Sequence, residues 1–173
     1  MSVSTLIKSN IVELSAGKSV INQLAEKDYS KVVEPLFQSS VGAHYRHILD
    51  HYHCFFAGLG DGHIDYDKRS RDTRVENDAH FCLQTIDAVL DQLNRLHSTE
   101  LPSGLSVSLK TNASQNEMAL PSTLEREMVF LHGHTTHHYA LIAAMLRVMG
   151  YQTDQAMGIA PSTVAYQQQA AQQ

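Results

Sequence analysis

Eight of the eleven histidines of this 173-residue chain lie in two short segments that both have the spacing of helices. The first, VGAHYRHILDHYHCFF, places His44, His47 and His51 three and four residues apart, so their side chains project from one helical face. The second, FLHGHTTHHYALI, places His134 and His138 four residues apart on a stripe that is otherwise apolar. A buried imidazole without a partner is costly, and coordination of a shared cation offsets that cost. The sequence therefore predicts a fold that brings these two helices together around a metal ion.

The two histidine-bearing helices belong to a larger set of amphipathic segments. Apolar residues recur at intervals of three and four in four stretches, which is the pattern of helices that bury one face. The predicted helices span about residues 3–27, 41–57, 73–97 and 122–149. Four such helices in a chain of this length predict a single all-α domain, an antiparallel four-helix bundle, in which cofactor sites form between inward-facing side chains.

The segments around these helices carry turn and capping signals. Ser39 or Ser40 is the expected N-cap of the second helix, which is predicted to end at the glycines beginning with Gly58. Residues 98–120 alternate apolar and polar side chains in one part and are turn-like in another, so they predict either a small hairpin or an irregular loop. Ser122 and Glu125 then form a capping box at the start of the fourth helix. At the C-terminus we expect a docked segment near residues 159–163 and a frayed tail from about residue 164.

Charge and hydropathy exclude several classes of partner. The formal net charge is −5 at pH 7, and no run of Lys and Arg is long enough to follow a phosphate backbone. No apolar run has the length of a secretory signal core or a membrane span. We therefore expect a cytoplasmic protein that binds neither nucleic acid nor membrane. The two cysteines, Cys54 and Cys82, have no metal-binding or redox spacing and are expected to be buried free thiols.

The spacing of the histidines suits a divalent metal ion. His134 and His138 present two ring nitrogens on one side of a helical turn, and one further imidazole from the other helix completes a face of three ligands. Three neutral imidazoles leave coordination positions open for water or substrate, which suits a Zn²⁺, Ni²⁺ or Fe²⁺ ion in a catalytic site. A zinc peptidase would need Glu beside the first of the two helical histidines, where this chain has Thr135, so peptidase activity is excluded.

The pattern HxxHILDH followed by HTTHHYALI resembles the DinB-like proteins, named for a DNA-damage-inducible bacterial protein, over nearly the whole chain. The resemblance implies a single four-helix domain over residues 1–173, a homodimer and a three-histidine metal site. By the same resemblance the metal ligands are His47, which is followed by aliphatic residues, and His134 and His138. His44 and His51 lie on the same face as His47, and either could replace or assist it.

The resemblance also implies a class of activity. The DinB-like superfamily includes thiol-dependent S-transferases, so the expected function is transfer of a low-molecular-weight thiol to a small-molecule substrate in detoxification or stress response. The alternatives are a metal-dependent hydrolase and a non-catalytic binding protein whose metal is structural. Many relatives have Arg-Gly-Gln after the last ligand, whereas this chain has Tyr139-Ala140-Leu141, so the contacts of that arginine do not carry over.

Four further residues are candidates for a supporting role. The loop IDYDKRSRDTRVEND follows the second predicted helix, and its Arg69 and Arg71 either bind an anionic cofactor at the mouth of the site or form salt bridges on a solvated loop. Asp50 either orients a ligand histidine by a hydrogen bond or pairs with Arg46 along the helix. Tyr139 either offers its hydroxyl to a substrate or packs in the core.

Overall fold

The computed structural model describes residues 2–96, 104–112 and 118–172. It is mostly helical and contains a small three-stranded sheet. The helices are α1 (Val3–Ile21), α2 (Glu26–Tyr29), α3 (Val41–Leu59), α4 (Thr73–Asn77), α5 (Ala79–Arg95), α6 (Leu124–Val148) and α7 (Pro161–Ala170). The strands are β1 (His63–Asp65), β2 (Leu105–Ser108) and β3 (Ala119–Ser122).

The core lies between the four long helices, since α1 and α3 each pack against both α5 and α6. Its largest fully buried side chains include five tyrosines and one phenylalanine: Tyr29, Tyr45, Tyr52, Tyr66, Tyr139 and Phe55. Asn10 on α1 joins three of these helices, because it accepts a hydrogen bond from Tyr52 Oη at 2.7 Å and donates to the Met128 carbonyl at 3.2 Å. Buried aromatic area and satisfied polar groups thus hold α3 and α6, the two histidine-bearing helices, in one packed unit.

The first helix is shorter than the predicted span of 3–27. Helix α1 ends at Ile21, and the chain turns before α2 begins at Glu26. Ala25 has an extended backbone, with ψ at 138°, and its N–H donates to the hydroxyl of Tyr151 at 3.2 Å. That hydroxyl donates in turn to Asp28 Oδ2 at 2.7 Å. A distant tyrosine therefore takes the place of the helical hydrogen bond at this point, which periodicity alone does not reveal.

Ser40 is the N-cap of α3, because its side chain accepts from the Ala43 N–H at 3.0 Å. The helix continues past the predicted end through Gly58 to Leu59. A Cβ atom at position 58 would overlap the carbonyl oxygen of His63 in β1. Gly58 is thus inside the helix, where it allows a strand backbone to approach closely, and it does not end the helix.

The third predicted helix, 73–97, is divided in two. Asp78 is extended, with φ at −127° and ψ at 106°, and separates α4 from α5. Its carboxylate accepts from the Phe81 N–H at 3.0 Å, so it serves as the N-cap of α5. The predicted terminus at residue 97 lies outside the described residues.

The segment before α6 forms a hairpin-type pairing, and a strand that was not predicted joins it from the loop after α3. Strands β2 and β3 pair antiparallel, as the hairpin alternative expected, although the connection at 113–117 lies outside the described residues. Strand β1 pairs parallel with β2, at His63 with Ser106 and at Asp65 with Ser108. Only three residues long and set within a charged loop, β1 has too little alternation to be recognised in the sequence.

The ends of α6 agree with the prediction to within a residue or two. The N-cap is Thr123, whose side chain accepts from the Arg126 N–H at 3.2 Å, and not the predicted Ser122. The helix ends at Val148, and Gly150 follows with φ at +89°, a conformation that favours glycine. The last helix, α7, occupies the segment expected to be frayed, and nearly all of its side chains are exposed. Among the described residues, no helix has both the length and the apolar character needed to cross a membrane.

Candidate metal centre

Helices α3 and α6 bring five imidazoles together at their interface. We call this set the histidine cluster, and it consists of His44, His47, His51, His134 and His138. His51 is buried and the other four are half-buried, so the cluster lies against the core and still faces solvent. The spacings of three and four that predicted a shared face on each helix therefore produce one continuous site.

Three members of the cluster are close enough to hold one metal ion. One ring nitrogen from each of His47, His51 and His134 lies within 4.8 Å of the other two. His47 and His134 are two of the three predicted ligands, and His51 is one of the two alternatives named from the sequence. Imidazole nitrogens that converge in this way suit zinc and neighbouring transition metals.

In two rings of this group, His51 and His134, one nitrogen has no hydrogen-bond partner among the described residues. His51 Nδ1 donates to the carbonyl oxygen of His47 at 2.8 Å, which leaves Nε2 unprotonated in the neutral ring. Metal-binding histidines usually donate one ring N–H to an acceptor of this kind and bind the metal through the other ring nitrogen. The Nε2 atom of His134 is buried and has no hydrogen-bond partner within the described ranges. A bound cation would satisfy this nitrogen, so the residues present fit a metal ion.

His138, the third predicted ligand, lies next to the same group. Its ring centroid is 4.6 Å from that of His134 and 4.7 Å from that of His47. Its Nδ1 is 2.9 Å from Nδ1 of His44, and His44 Nε2 is 3.0 Å from the Ser39 hydroxyl. The assignment of His138 as a ligand stays a prediction, and the two ligand sets share His47 and His134.

Burial and mutual repulsion hold these imidazoles in the neutral form. Burial, followed by the charges of neighbouring histidines, lowers the pKa of His134 to about 2 and that of His138 to about 3. Burial, with His51 and Arg69 next in effect, lowers the pKa of His47 to about 4. The pKa values of His44 and His51 are also lowered, mainly by burial. A neutral imidazole is the form that binds metal, so the cluster is ready for a cation at neutral pH.

Arg69 is the candidate supporting residue that reaches the cluster. Its Nη1 donates to His47 Nδ1 at 3.2 Å, and its Nε is buried with no hydrogen-bond partner in the described part of the chain. Arg71, two residues later, is exposed and has a left-handed backbone with φ at +52°. The loop after β1 thus directs one arginine inward and leaves the other in solvent.

Asp50 has a contact that was not predicted, whereas Tyr139 packs in the core, one of its two predicted roles. The buried Asp50 accepts from the Ser70 hydroxyl at 3.1 Å, while Arg46 lies 3.1 Å from Glu76 Oε2. Asp50 therefore anchors the loop that carries Arg69, a role that neither alternative from the sequence included. Tyr139 is buried in the core beside Gly17, where a Cβ atom would overlap its hydroxyl.

Two aromatic rings beside the cluster were not identified from the sequence. The ring of Tyr66 stacks on His51 at 5.5 Å, and Phe130 stacks on His134 at 5.6 Å. Tyr66 also donates to Oε2 of the buried Glu127 at 2.8 Å, which fixes its position. The available signal was Phe130 four residues before His134, a spacing that places both on one helical face.

Comparisons with known proteins leave the family of this chain unassigned. No family profile and no solved structure match it. The chain is 29% identical over 104 residues to a protein named FK506-binding protein 5 from the fungus Rhizopus delemar. The matched segment is 60% of this chain and 27% of the fungal protein. The chain thus spans about a quarter of that relative, and most of the relative lies outside the match.

Proposed function

We propose that this chain is a divalent-metal-binding protein of the DinB-like type, with His47 and His134 as two of the metal ligands. The observation that carries the proposal is the group of three imidazoles on α3 and α6, which includes the buried Nε2 of His134, an atom with no partner in the part of the chain that the structure describes. The packing of α1 and α3 against α5 and α6 supports the four-helix bundle that the resemblance implies. For the third ligand there are two candidates. His51 belongs to the group of three imidazoles that lie closest together, and His138 is the ligand that the DinB-like resemblance implies.

The proposed activity is the transfer of a small thiol to an electrophile. In such a reaction the thiol sulfur forms a bond to the electrophilic carbon, the leaving group departs with the bonding electrons, and the thiol proton is released. A divalent ion at this site would supply Lewis acidity, which lowers the pKa of a thiol or water ligand. The neutral histidines would hold the ion, and the rings of Tyr66 and Phe130, which stack on His51 and His134, cover one side of the site. We propose a thiol, a small-molecule substrate and a homodimer on the basis of the DinB-like resemblance.

Experiments on untagged protein test metal binding and thiol transfer separately. Elemental analysis after gel filtration should find about one Zn, Ni or Fe ion per chain. The metal-loaded protein should then consume a small thiol in the presence of an electrophile faster than the uncatalysed reaction. Absence of stoichiometric metal would refute the metal site. Bound metal without thiol transfer, for any of several thiols, would leave the metal site standing and reject the transferase.

Substitution of His51 and His138 by alanine identifies the third ligand. Each variant would be titrated with Zn²⁺ against a chelator of known affinity. The variant that loses the greater part of the wild-type affinity lacks the third ligand. Equal and small losses in both would show that the two rings substitute for each other.

A further inference from the structure

Arg69 places a guanidinium group beside the candidate metal site. Within the described residues, no carboxylate oxygen lies within salt-bridge distance, 4.0 Å, of an Arg69 nitrogen. The nearby carboxylates are occupied by neutral donors: Asp50 accepts from the Ser70 hydroxyl, and Asp67 accepts from the backbone N–H of Lys110 at 2.6 Å. A half-buried positive charge with a buried, unpartnered Nε is costly unless an anion completes its surroundings.

A metal ion at the histidine cluster makes this requirement stronger. The Nη1 atom of Arg69 lies 3.2 Å from His47 Nδ1, so an ion held by His47 and the guanidinium would be two positive charges a few ångströms apart. Their repulsion is relieved if an anion lies between them and contacts both. His47 and His134 are only half-buried, so part of each ring is exposed to solvent.

We propose that Arg69 and the metal centre together bind a small oxyanion, and that a carboxylate group on the substrate or cosubstrate is the anion recognised. Guanidinium suits this group because its planar N–H donors match the two oxygens of a carboxylate. The inference rests on the proposed metal site and adds the substrate class, a molecule with a carboxylate near its reacting end. Arg69 contacts this anion directly, while the hydrogen bond between Ser70 and Asp50 holds the loop that carries Arg69 in place.

The test uses Co²⁺-loaded protein, because the visible absorption of Co²⁺ reports directly on its ligands without any assay of activity. Acetate is titrated into wild-type protein, Arg69→Gln, Arg69→Lys and the matched control Arg71→Gln. Arg71→Gln removes the same charge from an exposed position two residues away. Acetamide, which has the same shape without the charge, serves as the neutral control ligand, and inorganic phosphate tests whether other oxyanions bind.

We expect acetate to change the Co²⁺ spectrum of wild-type protein and of Arg71→Gln with equal affinity. Arg69→Gln should bind Co²⁺ but bind acetate about tenfold or more weakly, the scale of a lost hydrogen bond to a charged group. Arg69→Lys should lie between the two, and acetamide should have no effect. A phosphate response that also depends on Arg69 would support a general oxyanion site.

Four results would overturn the inference. Equal acetate affinity in Arg69→Gln and wild-type protein would show that Arg69 does not contact the anion, and an equal loss in Arg71→Gln would indicate a nonspecific effect of charge. Loss of Co²⁺ from both Arg69 variants would assign Arg69 to holding His47. Failure of wild-type protein to bind Co²⁺ at all would instead refute the proposed metal site, and the anion site with it.

Discussion

At the scale of single residues, the histidine cluster is explained by the requirement that each buried imidazole nitrogen has a hydrogen-bond partner or a cation. His51 has its Nδ1 satisfied by the His47 carbonyl, whereas His134 Nε2 has no hydrogen-bond partner among residues 2–96, 104–112 and 118–172. Leucine at position 134 would avoid that cost, so a histidine there is expected only if something else completes it. A cation would satisfy His134 Nε2. A proton would do so poorly, because the pKa values of His134 and His138 are well below the ordinary value for histidine.

We predict that His134→Ala lowers Zn²⁺ affinity by at least about 100-fold, because loss of an outer-shell partner alone costs about 10–100-fold. The matched control is His137→Ala, which removes an exposed imidazole from the same helix. A competition titration against a chelator gives both affinities, and far-UV circular dichroism should show unchanged helix content. Wild-type affinity in His134→Ala would mean that its unpartnered nitrogen has no part in metal binding.

The sequence identified all five histidines of the cluster because helical spacing alone places them on two faces. It did not decide whether His44 or His51 replaces or assists His47, since all three lie on one helical face and the direction of each ring depends on side-chain rotation. The inward direction of Arg69 could not be predicted either, because it depends on a buried Asp50 binding Ser70.

At the scale of elements, hydrophobic periodicity located the long helices. Their observed ends differ from the predicted ones because of contacts and caps made by individual residues. Tyr151 ends α1 early, Asp78 divides the third predicted helix, and the approach of β1 requires Gly58 inside α3. Each of these determinants lies in a contact or cap that hydrophobic spacing does not encode. Strand β2 was recognised as a possible strand, whereas its parallel partner β1 was too short to recognise.

Two helical glycines, Gly58 in α3 and Gly133 in α6, give opposite predictions when replaced by alanine. Gly58→Ala should destabilise the protein by about 1–3 kcal/mol, because the new methyl group overlaps the His63 carbonyl. Gly133→Ala, where a Cβ meets no atom within 4 Å, should stabilise it by about 0.5–1 kcal/mol through reduced freedom of the unfolded chain. Urea unfolding followed by circular dichroism measures both. A neutral or stabilising Gly58→Ala would show that β1 does not pack against α3 as described.

At the scale of the whole molecule, the histidine cluster links folding to protons and to metal. The pKa values of its members are below 6.5 in the folded chain, so the unfolded chain binds more protons as the pH falls below that value. The contribution of these groups to stability is therefore complete above pH 6.5 and is lost progressively as the pH falls through about 4, the folded pKa of His47, toward about 2, that of His134. A metal ion competes with those protons for the same nitrogens.

We accordingly predict that chelator-treated protein is less stable at pH 5 than at pH 7, with a lower urea midpoint. The variant His47→Leu/His134→Leu, which lacks two of the responsible groups, should lose less stability over the same interval. Equal midpoints at the two pH values in wild-type protein would contradict the burial of neutral imidazoles in the cluster.

The most direct test of the metal centre is anomalous X-ray diffraction from crystals of untagged protein grown with Zn²⁺, recorded on both sides of the zinc absorption edge. We predict one anomalous peak between α3 and α6, about 2.1 Å from a nitrogen of His47 and a nitrogen of His134. Well-ordered rings of His47 and His134 with no anomalous peak between them, or a peak bound elsewhere on the chain, would contradict the account.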